Sequence, residues 1–176
     1  DIWQSIKKSA IANTARQTRM IKTLFRVSNL LENSGIRTLA YKGPVLSQTA
    51  YGDAALRPYD DLDFLVHPSD IKKAVKTMED EGFILDPALT RTQRKLYLQS
   101  QRDWLFREKE SGISVDINLA TAPFYLPATY NFDTLFSKNE VIHIGENSLR
   151  TLGIEDTFLD LCVHSTKHRW SRLLWI

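Results

Sequence analysis

The stretch Arg57-Pro58-Tyr59-Asp60-Asp61-Leu62-Asp63-Phe64-Leu65-Val66 decides the reading of this chain. In a β-strand, residues two apart share a face. Asp61 and Asp63 therefore point one way, and Leu62, Phe64 and Val66 point the other, toward a core. Strands are poor in Asp, and two neighbouring carboxylates on one face repel each other. A divalent cation offsets that cost. Mg²⁺ is a hard ion that takes oxygen ligands, often one or two carboxylates plus substrate phosphates. A short Asp-x-Asp also arises by chance, and acids keep sheet edges soluble. Asp60, on the other side of the strand from Asp61, reads as a turn residue or a support to the site. Arg57 sits where it can grip a phosphate in bidentate fashion, or neutralise Asp60 or Asp61.

A third acid stands in Ile113-Ser114-Val115-Asp116-Ile117-Asn118-Leu119. Here Ile113, Val115, Ile117 and Leu119 alternate with Ser114, Asp116 and Asn118, so Asp116 lies mid-strand on the polar face. If the two acid strands are neighbours, three carboxylates meet on one sheet surface. Such a cluster can hold two Mg²⁺ about 4 Å apart, the geometry of in-line phosphoryl or nucleotidyl displacement. Upstream, the turn Lys42-Gly43-Pro44 follows a strand and opens a helix. Gly allows a phosphate to approach closely, the helix N-terminus supplies N–H groups and a positive dipole, and Lys42 adds a cation. The same three residues also fit an ordinary strand–turn–helix connection, with Pro at the first helical position.

Outward from these segments the pattern is mixed α/β. Residues 2 to 34 read as a helix, with Met20, Ile21, Leu24, Phe25, Val27, Leu30 and Leu31 at helical spacing. Its basic residues, Lys7, Lys8, Arg16, Arg19, Lys22 and Arg26, read as a solvated face rather than a nucleic-acid surface. Strands follow at 36–42 and 61–67, a helix at 71–81 and a short strand at 83–85. Residues 91–102 are polar and ambiguous. Strands at 104–108 and 113–119 form a pair, and 123–138 reads as an irregular, aromatic-rich connection. A hairpin at 140–151 and a final helix from 155 complete the order. The helix pattern stops on Leu173-Leu174-Trp175-Ile176 without a stop signal, and the chain opens on Asp1 rather than Met. The expectation is a core over 1–152 and the beginning of a longer helical region over 153–176.

Composition bounds the function. The chain has 176 residues, with 23 Lys+Arg against 21 Asp+Glu for a formal charge of +2, which disfavours bulk polyanion binding. No apolar run approaches the roughly 20 residues that cross a membrane. The single cysteine, Cys162, excludes an intramolecular disulfide framework and favours a reducing compartment, here taken as the cytoplasm.

The specific text Leu39-Ala40-Tyr41-Lys42-Gly43, Tyr51-Gly52-Asp53, the block from Arg57 to Val66, then Val115-Asp116-Ile117-Asn118 and a helix with His164, His168, Arg169 and Trp170 resembles the uncharacterised bacterial nucleotidyltransferase family of the polymerase-beta-type superfamily. The resemblance covers residues 20 to 176. It implies an α/β (α+β) fold: a minimal core with a short mixed sheet, helices packed on one side and a helical region after it. It implies transfer of a nucleoside monophosphate from an NTP, ATP by expectation, to an acceptor hydroxyl with release of pyrophosphate. The acceptor is expected to be a small molecule rather than a protein or RNA. Asp61 and Asp63 match the metal-binding pair. Asp116 matches the third carboxylate, which helps bind the catalytic metal and assists deprotonation of the acceptor. Gly43 matches the phosphate-turn glycine. The chain departs from the superfamily where Pro44 follows Gly43 in place of Ser or Gly, removing a phosphate ligand. Ser47 or Lys42 is the expected substitute. Asn118 stands where relatives often carry His. The alternative implied is a non-catalytic module that kept the fold and holds a nucleotide or a partner.

The remaining candidates read as structural. His164 and His168 have zinc spacing on one helix but no third ligand. They fit surface, core or cleft-lining positions. Cys162, Trp104 and Phe106 read as core, and Phe124 or Tyr125 as core or as a platform for a base.

Overall fold

The structure is a computed structural model that describes residues 2–119 and 131–167. The chain runs α1 (Ile2–Asn33), β1 (Thr38–Tyr41), α2 (Gly43–Tyr51), β2 (Asp61–Val66), a 3₁₀ turn at Pro68–Asp70, α3 (Ile71–Asp80), β3 (Phe83–Asp86) and α4 (Arg91–Ser100). It continues through β4 (Asp103–Glu108), β5 (Ser114–Asn118), α5 (Phe132–Ser137), β6 (Glu140–Ile144), β7 (Asn147–Thr151) and α6 (Ile154–Lys167). Five strands form one sheet in the order β1-β2-β5-β4-β3, and β6 pairs with β7 as a separate hairpin. Only β2 and β5 run parallel in the five-stranded sheet.

Alternation along the strands divides the sheet into two faces. Leu62, Phe64, Val66, Val115, Ile117, Trp104 and Phe106 are all buried on one face. Over them α1 lays Met20, Leu24, Val27 and Leu31, spaced by three and four residues, and α3 adds Ala74 and Met78. Burying a Phe64 or a Trp104 contributes roughly 2–3 kcal/mol each. The opposite face carries a smaller cluster. Leu39, Tyr41 and Leu65 meet Leu135 of α5 and Leu152. Asp61, Asp63 and Asp116 occupy this second face beyond that cluster.

The sequence leaves 91–102 ambiguous and treats 123–138 as irregular, but both contain helix. In α4 the Thr90 hydroxyl accepts from the Gln93 N–H, while the Gln93 side chain accepts from the Thr90 N–H, a capping box. In α5 the Asn131 side chain caps the Thr134 N–H at 3.0 Å. Both signals are local and short, and polarity obscures them. Phe124, Tyr125, His168, Arg169 and Trp170 lie outside the described residues. The described helices include none long and apolar enough to cross a membrane.

The basic face of α1 is more than a solvated surface. Arg26 pairs with Glu81 and Glu108 and stacks over the Phe83 ring at 5.1 Å. Arg16 donates to the Tyr59 carbonyl at 3.0 Å and pairs with Asp60 at 2.9 Å. Gln17, fully buried, donates to the same carbonyl at 3.5 Å. Helix α1 therefore fixes the residues that lead into the acid strand.

Candidate functional site

The three acids come together through strand register. In the parallel β2–β5 pair, Asp63 stands directly beside Asp116, and Asp61 beside Ser114. Alternation puts Asp61, Asp63 and Asp116 on the same sheet face. Asn118 donates to Asp63 Oδ1 at 3.5 Å, on the same face two residues past Asp116. Burial is the main force on the Asp63 carboxyl and pushes it up to about 7, with the nearby charges of Asp61, Asp116 and Asp160 adding and Lys42 opposing. Burial also raises Asp61, with Asp60 adding and Lys42 and Arg57 opposing. Lys42 therefore does not fully offset the burial and mutual repulsion that raise Asp61 and Asp63.

The turn beside them is built on unusual backbone. Lys42 has φ 56° and ψ −154°, a left-handed conformation that costs a non-glycine residue roughly 1–3 kcal/mol. Gly43 follows at φ 39° and opens α2, with Pro44 in the first turn. A Cβ on Gly43 would lie 3.2 Å from the Asp61 carbonyl oxygen, against the backbone of the acid strand. Gly43→Ala should therefore lower stability by about 1–2 kcal/mol, read from the denaturant midpoint. It should also displace Asp61. An unchanged midpoint would show that the turn relaxes freely.

Lys42 faces inward. Its side chain is 17% exposed, and Nζ lies 3.5 Å from Asp160 of α6 and 4.7 Å from the Tyr41 ring centre. Burial disfavours its charge, but Asp63, Asp160 and Asp61 together outweigh it and hold the amine protonated. Tyr41, opposite Asp63 across β1–β2, has a hydroxyl held well above its ordinary pKa by burial first and by Asp63 and Asp160 next.

Asp160 is the acid that sequence reading misses. Helical spacing in α6 marks Phe158, Leu161 and Cys162 as the inward stripe. Instead Asp160 is 1% exposed, 3.5 Å from the Lys42 amine, and Phe158 is 65% exposed. Cys162 is only partly buried, and so is His164, which lies on the same helix.

The other predicted residues take distinct places. The Ser47 hydroxyl is buried, donates to the Asp53 carbonyl at 2.6 Å and accepts from the Arg57 N–H at 3.1 Å. It thus braces the loop between α2 and β2 and is not presented to a ligand. Arg57 Nε is buried and makes no hydrogen bond to the described residues, while its guanidinium charge lowers Asp61. Asp60 is exposed and held by Arg16, away from the acid face.

Among the described residues, no three His, Cys, Asp or Glu side chains gather tightly enough to enclose a metal ion as they stand. The chemistry of the donors nevertheless suits a hard divalent cation: carboxylate oxygens gathered on one face.

Three acids thus share one face of a five-stranded mixed sheet, beside a glycine turn that opens a helix. The chain belongs to the family described as "uncharacterised nucleotidyltransferase", whose model matches residues 1–176, and its class of activity is nucleotidyl transfer. Two solved structures share the fold. The lincosamide antibiotic adenylyltransferase LnuA, bound to lincomycin, is 15% identical with a TM-score of 0.54, over 78% of this chain and 83% of that one. The antibiotic-resistance factor ANT(2'')-Ia is 11% identical with a TM-score of 0.59, over 86% of this chain and 74% of that one. No curated protein matches the chain by sequence.

Proposed function

We propose that this protein moves a nucleoside monophosphate from an NTP, with ATP the first candidate, to a hydroxyl of a small-molecule acceptor. The observation that carries the reading is the register that sets Asp63 beside Asp116 with Asp61 on the same face. Asp61, Asp63 and Asp116 would hold two Mg²⁺. Bound magnesium supplies Lewis-acid activation of the acceptor and neutralises charge on the leaving pyrophosphate. Asp116, beside Asp63, takes the proton of the acceptor hydroxyl. Gly43 lets the turn pack against the Asp61 backbone and opens α2, whose N–H groups and dipole favour an anion. The buried, unbonded Nε of Arg57 suits a phosphate oxygen on the Asp61 side. Lys42 balances the acids from below, and Ser47 braces the loop that carries Arg57. LnuA is named an adenylyltransferase and binds lincomycin, which favours adenylate as the group moved and a small molecule as the acceptor here.

The test is calorimetric titration with ATP, CTP, GTP and UTP, with and without Mg²⁺. At least one should bind in a Mg²⁺-dependent manner, and Asp61→Asn/Asp63→Asn should abolish that binding. Equal binding by the double variant would remove the metal site from these acids and overturn the mechanism.

A further inference from the structure

The charge of the acid face contrasts with that of a second feature. Where α1 crosses the start of β2 and β5, a cavity of about 450 Å³ opens between the helix and the β4–β5 turn. Its walls include Arg16, Arg19, Arg107, Asp60, Gly112 and Ser114. Three guanidinium groups face one carboxylate. Arg16 already engages that carboxylate at 2.9 Å. Arg107 is oriented by Asp86 through Nε at 2.6 Å and by the Ser114 hydroxyl through Nη1 at 3.4 Å. Arg19 makes no ion pair or side-chain hydrogen bond among the described residues, so its charge is unspent. Asp61 does not line the cavity, but it follows Asp60 in the chain and pairs in the sheet with Ser114, and both of these do.

We propose that this cavity holds an acidic group of the acceptor, a carboxylate or a phosphate, and so selects acidic hydroxyl compounds as substrates. This substrate class rests on the nucleotidyl-transfer reading above. The volume falls in the range of small-molecule sites. Guanidinium groups recognise carboxylate and phosphate by paired N–H donors. An acceptor anchored there by its acid would reach the acid face past Ser114, the sheet partner of Asp61. A cationic acceptor would meet Arg19 and be repelled, since Arg16 and Arg107 already pair with Asp60 and Asp86.

The experiment is an NMR titration of the ¹⁵N-labelled, metal-free chain with inorganic phosphate, with malate and with neutral glucose, repeated on Arg19→Glu and Arg19→Gln. Phosphate or malate should shift the Gly112 and Ser114 amides saturably, and glucose should not. Arg19→Glu should weaken that binding about tenfold or more, and Arg19→Gln less, since each charge-assisted hydrogen bond carries that order of effect. Tighter phosphate binding assigns a phosphorylated acceptor, and tighter malate binding a carboxylic acid. Shifts centred on Gly43 instead, or binding indifferent to Arg19→Glu, overturn the proposal. Pyrophosphate release with hydroxy acids separates the two readings. Anion binding at Gly112 without any turnover defeats the transferase reading and leaves the cavity's chemistry standing. Turnover of glucose with no anion shifts defeats the cavity alone.

Discussion

Asp63→Asn should make the metal-free protein more stable at pH 8 while silencing transfer. Burial and neighbouring acids push the Asp63 carboxyl from 3.8 to about 7 in the fold. The folded state therefore holds a proton that the unfolded state releases, and stability falls as pH rises. The sign is opposite to that of a salt-bridged acid. The protein is most stable below about pH 4 in this respect, weakens through the interval up to about pH 7, and gains no further penalty above it. At ~1.36 kcal/mol for each pKa unit, the whole gap amounts to ~4 kcal/mol. Asn mimics the protonated form at every pH. Urea unfolding at pH 5 and pH 8 should show a pH-dependent loss in the wild type that largely disappears in the variant. Saturating Mg²⁺ should narrow the difference by binding the folded wild type. Identical pH profiles for the two proteins would mean that the Asp63 carboxyl is not held up by burial. A variant that gains stability as it loses activity is what a destabilised active site produces.

Lys42→Met should destabilise the fold by about 3–5 kcal/mol at pH 7, the usual cost of breaking a buried ion pair from one side. Lys42 is the cation that offsets Asp63, Asp160 and Asp61, and Asp160 is itself almost wholly buried. Met keeps the aliphatic stem, so the loss reports the charge and not the packing. The double variant Lys42→Met/Asp160→Asn should cost about 2 kcal/mol less than the sum of the two single changes, because the pair is removed together. Additive costs would show that the 3.5 Å approach of Nζ to Asp160 carries no coupling. The pair also joins α6 to the acid face, so Lys42→Met should release amide protection along α6 before the sheet opens.

Much of the acid face is legible in the sequence, because a period of two is a strong signal. Asp61 and Asp63 between Leu62, Phe64 and Val66, and Asp116 between Val115 and Ile117, assign both faces before any strand order is known. The pairing of β2 with β5 is a different matter. Alternation says which way a side chain points and not which strand lies beside it. Asp160 is not legible at all, because helical spacing favours Phe158 and Leu161 as the inward positions. Its ion-pair partner Lys42 comes from a turn far away in the chain. The role of Ser47 is also hidden, since a hydroxyl near a phosphate turn fits a ligand contact as well as a loop brace. Arg16 reads as one more basic residue on a polar helix face, and only the fold shows that it grips the Tyr59 carbonyl.

The parallel β2–β5 pairing sets a kinetic condition on the protein. These strands are joined by a long crossover through α3, β3, α4 and β4, and contacts so distant in the chain form late. Asp63 and Asp116 are neighbours only after that closure, and a slip of one residue would turn Asp116 into the core and Ile117 onto the acid face. The register that buries Phe64 and Ile117 is therefore the one that gathers the acids. A nascent or misassembled chain has no gathered acids, so under the function proposed above competence comes only with the finished core.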